Sequence, residues 1–197
     1  MLRVATIVDD TTAEGPGRRW ALWVQGCTIR CAECCNPEMF DPRRGQAMEP
    51  AALCPRVSEA RARGVTGVTF LGGEPFEQAA GLAALARHAR SLGMTVMVFS
   101  GYTLAELRAR GDAAELLALI DLLVDGRYDR TRPEPAPPAG RRWIGSANQV
   151  MHHLTSAYAP EDPRMREPNT IEIRLSRGGL VLNGWPTADR LVGRRHG

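Results

Sequence analysis

Apolar runs bounded by polar and glycine-rich segments mark out strands along this chain, and between them lie stretches whose apolar positions recur at helical spacing. Arg3 to Asp9 (RVATIVD) and Trp20 to Gln25 (WALWVQ) read as strands joined by the turn-forming DTTAEGPGRR. A helix is predicted from Pro50 to Arg63, with proline suited to its first turn and Gly64 as its stop. VTGVTFLGG then gives an apolar strand ending at Gly72 and Gly73, followed by a helix from Phe76 to Leu92, a stop at Gly93 and a strand from Thr95 to Gly101. Helices over Thr103 to Arg110 and Ala113 to Leu119 lead to the strand DLLVDGRY.

Strands and helices alternating at this spacing predict an α/β fold with a parallel sheet and crossover helices. In such folds the ligand site lies beyond the carboxyl ends of the strands, whether the sheet stays open or curls into a barrel. The cysteine segment GCTIRCAECC, Gly72-Gly73-Glu74, Ser100-Gly101-Tyr102 and Asp125-Gly126-Arg127 all fall at such ends. Their coincidence predicts one shared site. Downstream, DRTRPEPAPPAGRR (Asp129 to Arg142) reads as an extended, exposed loop. A short helix is predicted around Ala147 to Tyr158, then the linker APEDPRMREPN, and TIEIRLSRGGLVLNGWP reads as a hairpin about Gly178-Gly179. The expected division is a core domain over 1–158 and a linker with a C-terminal β-hairpin over 159–197.

With 197 residues the chain can bury one substantial core. Its net charge of +3 is spread along the sequence, without the clustered basic stripe of a nucleic-acid binder. All 25 basic residues are arginine, so Schiff-base chemistry and a lysine phosphate loop are excluded. Neither a secretory signal nor an apolar run of membrane-spanning length is present, and the expectation is a soluble, cytoplasmic protein that binds neither nucleic acid nor membrane.

Four of the five cysteines lie between Cys27 and Cys35, unlike the dispersed spacing of a disulfide framework. Cys27, Cys31 and Cys34 are spaced C-x3-C-x2-C, which lets one loop aim three thiolates at one centre. A four-iron cluster held by three thiolates keeps one iron open for a substrate. In an extended segment Cys34 and Cys35 point in opposite directions, so both are not expected on one cluster. Cys54, in the first turns of a helix, reads as a small buried residue. A closed four-cysteine cluster would need one of these two to turn inward. A structural zinc site is the competing reading, although no second cysteine pair follows and His152-His153 are adjacent rather than spaced as ligands.

These residues resemble the radical S-adenosylmethionine superfamily, through the cysteine spacing after an early strand and GGEP (Gly72 to Pro75) after the next. More narrowly, GPGRRWALWVQGC, CNPEMF, VTFLGGEPFEQ, FSGYTLAEL, LLVDGRYD and WIGSANQVM together resemble the anaerobic ribonucleotide reductase activating enzyme and its relatives, the glycyl-radical enzyme activases. The resemblance implies a partial (β/α)6 radical-SAM barrel carrying a [4Fe-4S] cluster on Cys27, Cys31 and Cys34. It further implies S-adenosylmethionine chelated at the open iron and cleaved, on reduction, to methionine and a 5'-deoxyadenosyl radical.

The remaining motif residues suit that task. Gly72 and Gly73 let backbone approach the methionine portion. Glu74 can accept from an ammonium, or simply be an acid at a helix start before Pro75. Ser100 and Tyr102 can contact ribose or adenine, or form a strand-to-helix turn capped by Thr103. Asp125 ends an apolar strand and needs either a ligand or a partner such as Arg127. Asn148 and Gln149 match the family's SxNQ element or start a helix capped by Ser146. Two residues depart from the expected pattern: Glu33, an acid beside an anionic cluster that Arg30 would have to offset, and Cys35. The hairpin is expected to cover a sheet edge or dock a partner.

The expected function is that of a radical enzyme that installs a glycyl radical on a large partner, served by a flavodoxin- or ferredoxin-type electron donor. Two alternatives are a stand-alone radical enzyme acting on a small molecule or peptide, and a non-enzymatic iron–sulfur carrier or zinc-stabilised module.

Overall fold

A computed structural model describes residues 1–176 and 179–184. Seven strands form one sheet: β1 (Leu2–Thr11), β2 (Arg19–Val24), β3 (Gln46–Met48), β4 (Gly67–Gly72), β5 (Thr95–Phe99), β6 (Leu122–Asp125) and β7 (Val150–His153), in the spatial order β3-β1-β2-β4-β5-β6-β7. The strands β2, β4, β5 and β6 run parallel. Antiparallel strands flank them, β1 and then β3 beside β2, and β7 beside β6. The mixed α/β class and parallel centre are therefore as expected. The parallel strands number four rather than six, and the sheet does not close into a barrel.

Helices α1 (Pro50–Ala62), α2 (Ala79–Ser91), α3 (Leu104–Ala109) and α4 (Ala114–Leu117) supply the crossovers. The two long crossovers end alike. Val65 N donates to Ala60 O and Gly64 N to Arg61 O, while Met94 N donates to Ala89 O and Gly93 N to Arg90 O. This glycine-centred Schellman geometry needs positive φ, which is +87° at Gly64 and +71° at Gly93. It turns each chain directly into the next strand, with Val65 and Met94 buried at the turn.

Alternation sorts the strand side chains onto two faces. Trp20, Leu22, Val24, Val68, Phe70, Val96, Val98 and Leu123 pack with α1 and α2 in the main core. On the other face Val8, Ala21 and Trp23 form one cluster with Met39, and Met97, Leu122 and Val124 form another with Trp143, Ile144, Tyr158 and Met165. Trp143 and Tyr158, bonded to Ala13 O and Arg19, close the amino end of the helix-free face, while Met39 sits beside the end of β2 and Leu71 and Phe99 nearer the carboxyl end are only partly buried.

Arg19, fully buried at the first position of β2, fastens that seal. Its guanidinium donates to Thr69 Oγ1 (3.0 Å), Thr95 Oγ1 (2.6 Å), Tyr158 OH (3.1 Å) and the carbonyls of Val68 and Thr95. Gly67 makes room for it, since a Cβ there would lie 1.9 Å from Arg19 Nη1.

Two expectations change. The segment expected as a helix over Ala147 to Tyr158 instead forms β7. Gln149 Oε1 accepts from the Gly145 and Ser146 amides, holding the turn before it, and the free edge of β6 then offers Val150–His153 a ladder. The C-terminal strands β8 (Ile171–Ser176) and β9 (Gly179–Gly184) pair antiparallel as a separate two-stranded sheet, while the Gly178 of the expected turn and residues beyond 184 lie outside the described residues. Among the described residues this sheet adds no ladder to the large one, and its contacts are around the end of β1, where Arg174 also donates to Asp10 O. Glu172 accepts from Thr12 N (2.8 Å), Asn183 Nδ2 donates to Thr11 Oγ1 (2.9 Å) and Gly184 N donates to Glu14 (2.6 Å). Thr11 pairs with Arg19, so the hairpin sits at the amino end of the parallel strands, opposite the cysteines. No helix among the described residues is long and apolar enough to cross a membrane.

Replacing Arg19 by leucine leaves buried carbonyls and hydroxyls without their donor. The expected loss is about 3 kcal/mol of unfolding free energy in urea titrations. Gly67→Ala, which displaces the same guanidinium, is expected to be destabilising as well.

Candidate functional site

The cysteine loop leaves β2 at Val24 and folds back on itself. Gln25 Nε2 donates to the carbonyls of Glu38 (3.0 Å) and Asp41 (2.9 Å), and the Gly26 and Cys27 amides donate to Met39 O and Phe40 O. Three further contacts fasten it across the carboxyl ends of the neighbouring strands. After β4, Glu77 accepts from the Thr28 amide (2.9 Å) and hydroxyl. After β5, Ile29 packs on Gly101, where a Cβ would come within 2.7 Å of Ile29 Cδ1. After β6, Arg130 pairs with Glu33 at 2.7 Å. Nothing in the residue pattern pointed to these partners, except that Gln25 is a single amide side chain abutting Gly26-Cys27.

Cys27, Cys31 and Cys34 are free and half-buried, each met by backbone donors. Burial raises the Cys27 thiol, although the Arg30 and Ile29 amides oppose it. Cys31 is raised by burial against a hydrogen bond from the Tyr128 amide. Cys34 is pulled down to about 7 by a hydrogen bond from the Cys35 thiol, with the Asn36 amide also donating to its sulfur (3.4 Å). The segment is thus a turn rather than an extended strand. Cys34 N donates to Cys31 O, Glu33 has φ +56°, and exposed Cys35 lies beside Cys34 instead of pointing away.

Among the described residues no three His, Cys, Asp or Glu side chains converge tightly enough to hold a metal ion, so ligation requires these thiols to rotate toward a common centre. The donor set suits an iron–sulfur cluster. Three unpaired thiols share one short loop, and amide N–H groups already aim at their sulfurs, as thiolate ligation favours.

Gly72 and Gly73 are dictated by the end of β2. A Cβ on Gly73 would sit 2.1 Å from Gly26 O, and one on Gly72 would sit 2.7 Å from Val24 N. Gly73 N donates to Val24 O and Glu74 N to Gly26 O, each at 2.8 Å. Glu74 is almost wholly buried and forms the central knot. It accepts from Phe76 N (2.9 Å), Ser100 Oγ (2.9 Å) and Gly101 N (2.8 Å), while Ser100 Oγ accepts from Tyr102 N. One carboxylate therefore joins the ends of β4 and β5.

The end of β6 is knotted similarly. Asp125 accepts from Leu104 N at the start of α3 and lies 2.9 Å from His152 Nε2. Arg127, the partner considered from sequence, instead pairs with Glu106 (2.8 Å) and donates to Gly101 O. The Tyr102 ring lies between Arg110 (4.7 Å) and Arg127 (5.8 Å). Asn148 Nδ2 donates to Arg127 O (2.7 Å) and Gln149 Nε2 to Gly126 O (2.9 Å), whereas the buried Asn148 Oδ1 has no partner. All the predicted strand-end motifs thus meet at one carboxyl end, linked to each other by hydrogen bonds.

A fold with a parallel centre and a cysteine loop across its strand ends is matched by the family model for a 4Fe-4S single cluster domain over residues 13–152, and the chain belongs to that family. Its relatives are more particular. It is 32% identical over 146 residues to the anaerobic ribonucleoside-triphosphate reductase-activating protein of Salmonella typhi, covering 71% of this chain and 91% of that one. The protein of that name from Vibrio cholerae is 33% identical over 150 residues, 72% of this chain and 91% of its own. The one from Enterobacteria phage T4 is 27% identical over 153 residues, 75% of this chain and 92% of its own.

Burial raises the carboxyl of Glu74 from 4.5 to about 7, against its three donors, and does the same to Glu14 beneath the hairpin. Between those pH values the folded protein keeps protons that the unfolded chain has released. The stabilising contribution is full below pH 4.5 and is lost as pH rises through about 7. Urea midpoints of the metal-free protein should fall across this window, and Glu74→Gln should remove about half of that slope, leaving the share of Glu14.

Proposed function

We propose that this protein is a glycyl-radical activase that uses a [4Fe-4S] cluster and S-adenosylmethionine to install a backbone glycyl radical on a large partner of the anaerobic ribonucleotide reductase type. The observation that carries this reading is the convergence of the cysteine loop with the ends of β4, β5 and β6, where the helix-free face is only partly covered. The named activity of its relatives fits that placement.

Cys27, Cys31 and Cys34 would hold the cluster, with Cys35 as a neighbouring hydrogen-bond donor. When bound, a cluster with one iron open to S-adenosylmethionine supplies the electron that releases methionine and a 5'-deoxyadenosyl radical. The chain's own residues bind and orient. Gly72 and Gly73 let the end of β4 pack directly on Val24 and Gly26, so that backbone can approach the methionine portion of the ligand. Asn148 Oδ1, buried and without a donor, is the acceptor offered to an amino or hydroxyl group of the ligand. Glu74, Ser100 and Asp125 act mainly through the backbone they hold, since Glu74 and Ser100 bind each other and the strand ends and Asp125 accepts from Leu104 N, while Tyr102 offers its ring and hydroxyl to ribose or adenine. The same reading places the electron donor, a flavodoxin- or ferredoxin-type protein, at the exposed cysteine loop.

Anaerobic incubation of the cluster-loaded protein with reductant, S-adenosylmethionine and a candidate reductase should produce a glycyl radical signal in the partner's electron paramagnetic resonance spectrum. Deoxyadenosine without that signal would rule against activation of the partner and favour a separate substrate, revealed by deuterium transfer into deoxyadenosine. Cys34→Ala is expected to abolish deoxyadenosine formation and Cys35→Ala to retain it. The reverse pattern would overturn the ligand assignment.

A further inference from the structure

Glu33 immediately precedes the third thiol of the loop and takes an unfavourable backbone position. Its φ of +56° lies in the left-handed region, which costs a residue with a side chain about 1 kcal/mol. From there the carboxylate reaches Arg130, Nη1 to Oε1 at 2.7 Å. Arg130 lies five residues beyond the end of β6, so its ion pair with Glu33 runs directly between the segment after that strand and the cysteine loop. Other arginines of this rim have their own carboxylates, Arg127 with Glu106 and Arg43 with Asp41. Arg30, in the loop itself at φ +52°, is not the residue that meets Glu33.

We propose that Arg130 is a positioning residue for the cysteine loop, latching the segment after β6 across Cys31 to Cys34 and offsetting the charge of Glu33 where the cluster would sit. An unpaired carboxylate beside a thiolate-held cluster opposes the arrival of another electron, and a cation 2.7 Å away cancels most of that field. The charge-offset half rests on the cluster reading given above, whereas the latch half does not. Both side chains are at least half exposed, so the latch is a salt-sensitive device with the strength of a surface ion pair.

The test uses wild type, Arg130→Gln, Glu33→Gln, the double variant and Arg130→Lys. In the metal-free protein, amide hydrogen exchange over residues 27–35 and 127–133 should quicken by about two- to fivefold in either single neutral variant, the range an exposed ion pair supports. It should quicken no further in the double variant, recover in Arg130→Lys and lose its dependence on the pair at high salt. After anaerobic reconstitution, redox titration followed by electron paramagnetic resonance should give a lower midpoint potential in Arg130→Gln, a higher one in Glu33→Gln and an intermediate one in the double variant. Unchanged exchange in Arg130→Gln would overturn the latch. A potential in Arg130→Gln at or above wild type would overturn the charge offset. If no variant, wild type included, takes up a cluster, the cluster reading and the offset fall together, and hydrogen exchange still decides the latch.

Discussion

A guanidinium that pairs with no carboxylate among the described residues holds this fold together. Arg19 is fully buried, and its hydrogen bonds go to hydroxyls and carbonyls of β4, β5 and the Tyr158 segment. Desolvation depresses its proton affinity, yet an arginine side chain retains its charge over any ordinary pH. The cation is thus permanent, and the surrounding dipoles must satisfy it. Gly67 is small for this reason, and the threonines at 69 and 95 face inward in otherwise apolar strands. Spacing of the parallel strands at their amino ends and closure of the helix-free face depend on the same group.

At the carboxyl end an acid does the corresponding work. Glu74 gathers the turns after β4 and β5, and Asp125 accepts from Leu104 N at the start of α3 and lies 2.9 Å from His152 of β7. The cysteine loop rests on these knots without forming part of them, held by Gln25, Thr28, Ile29 and Glu33. This division lets the loop's thiols reorient around a ligand while the strand ends stay fixed. The sulfurs are already met by amide donors, so reorientation starts from an environment suited to thiolates.

What the sequence made legible was local. Glycines at 64 and 93 announced helix ends because their positive φ is a property of one residue. Apolar runs announced β2, β4, β5 and β6, and the motifs at their ends did assemble at one place. Elements that depend on a distant partner were hidden. The strand β3 has only three residues and exists because β1 has a free edge, and β7 replaces an expected helix for the same kind of reason. Side-chain partnerships were hidden more deeply. Arg127 was the natural candidate for Asp125 and Arg30 for Glu33, but the chain brings His152 and Arg130 to those places from 27 and 97 residues away. Nearness in sequence says little about which of 25 identical cations reaches a given acid.

The helix-free face is sealed at one end by Trp143, Tyr158 and Met165 and is only partly covered toward the other. Leu71 and Phe99 therefore leave apolar surface at the strand ends beside the cysteine loop, and any molecule that covers them gains from the water it displaces.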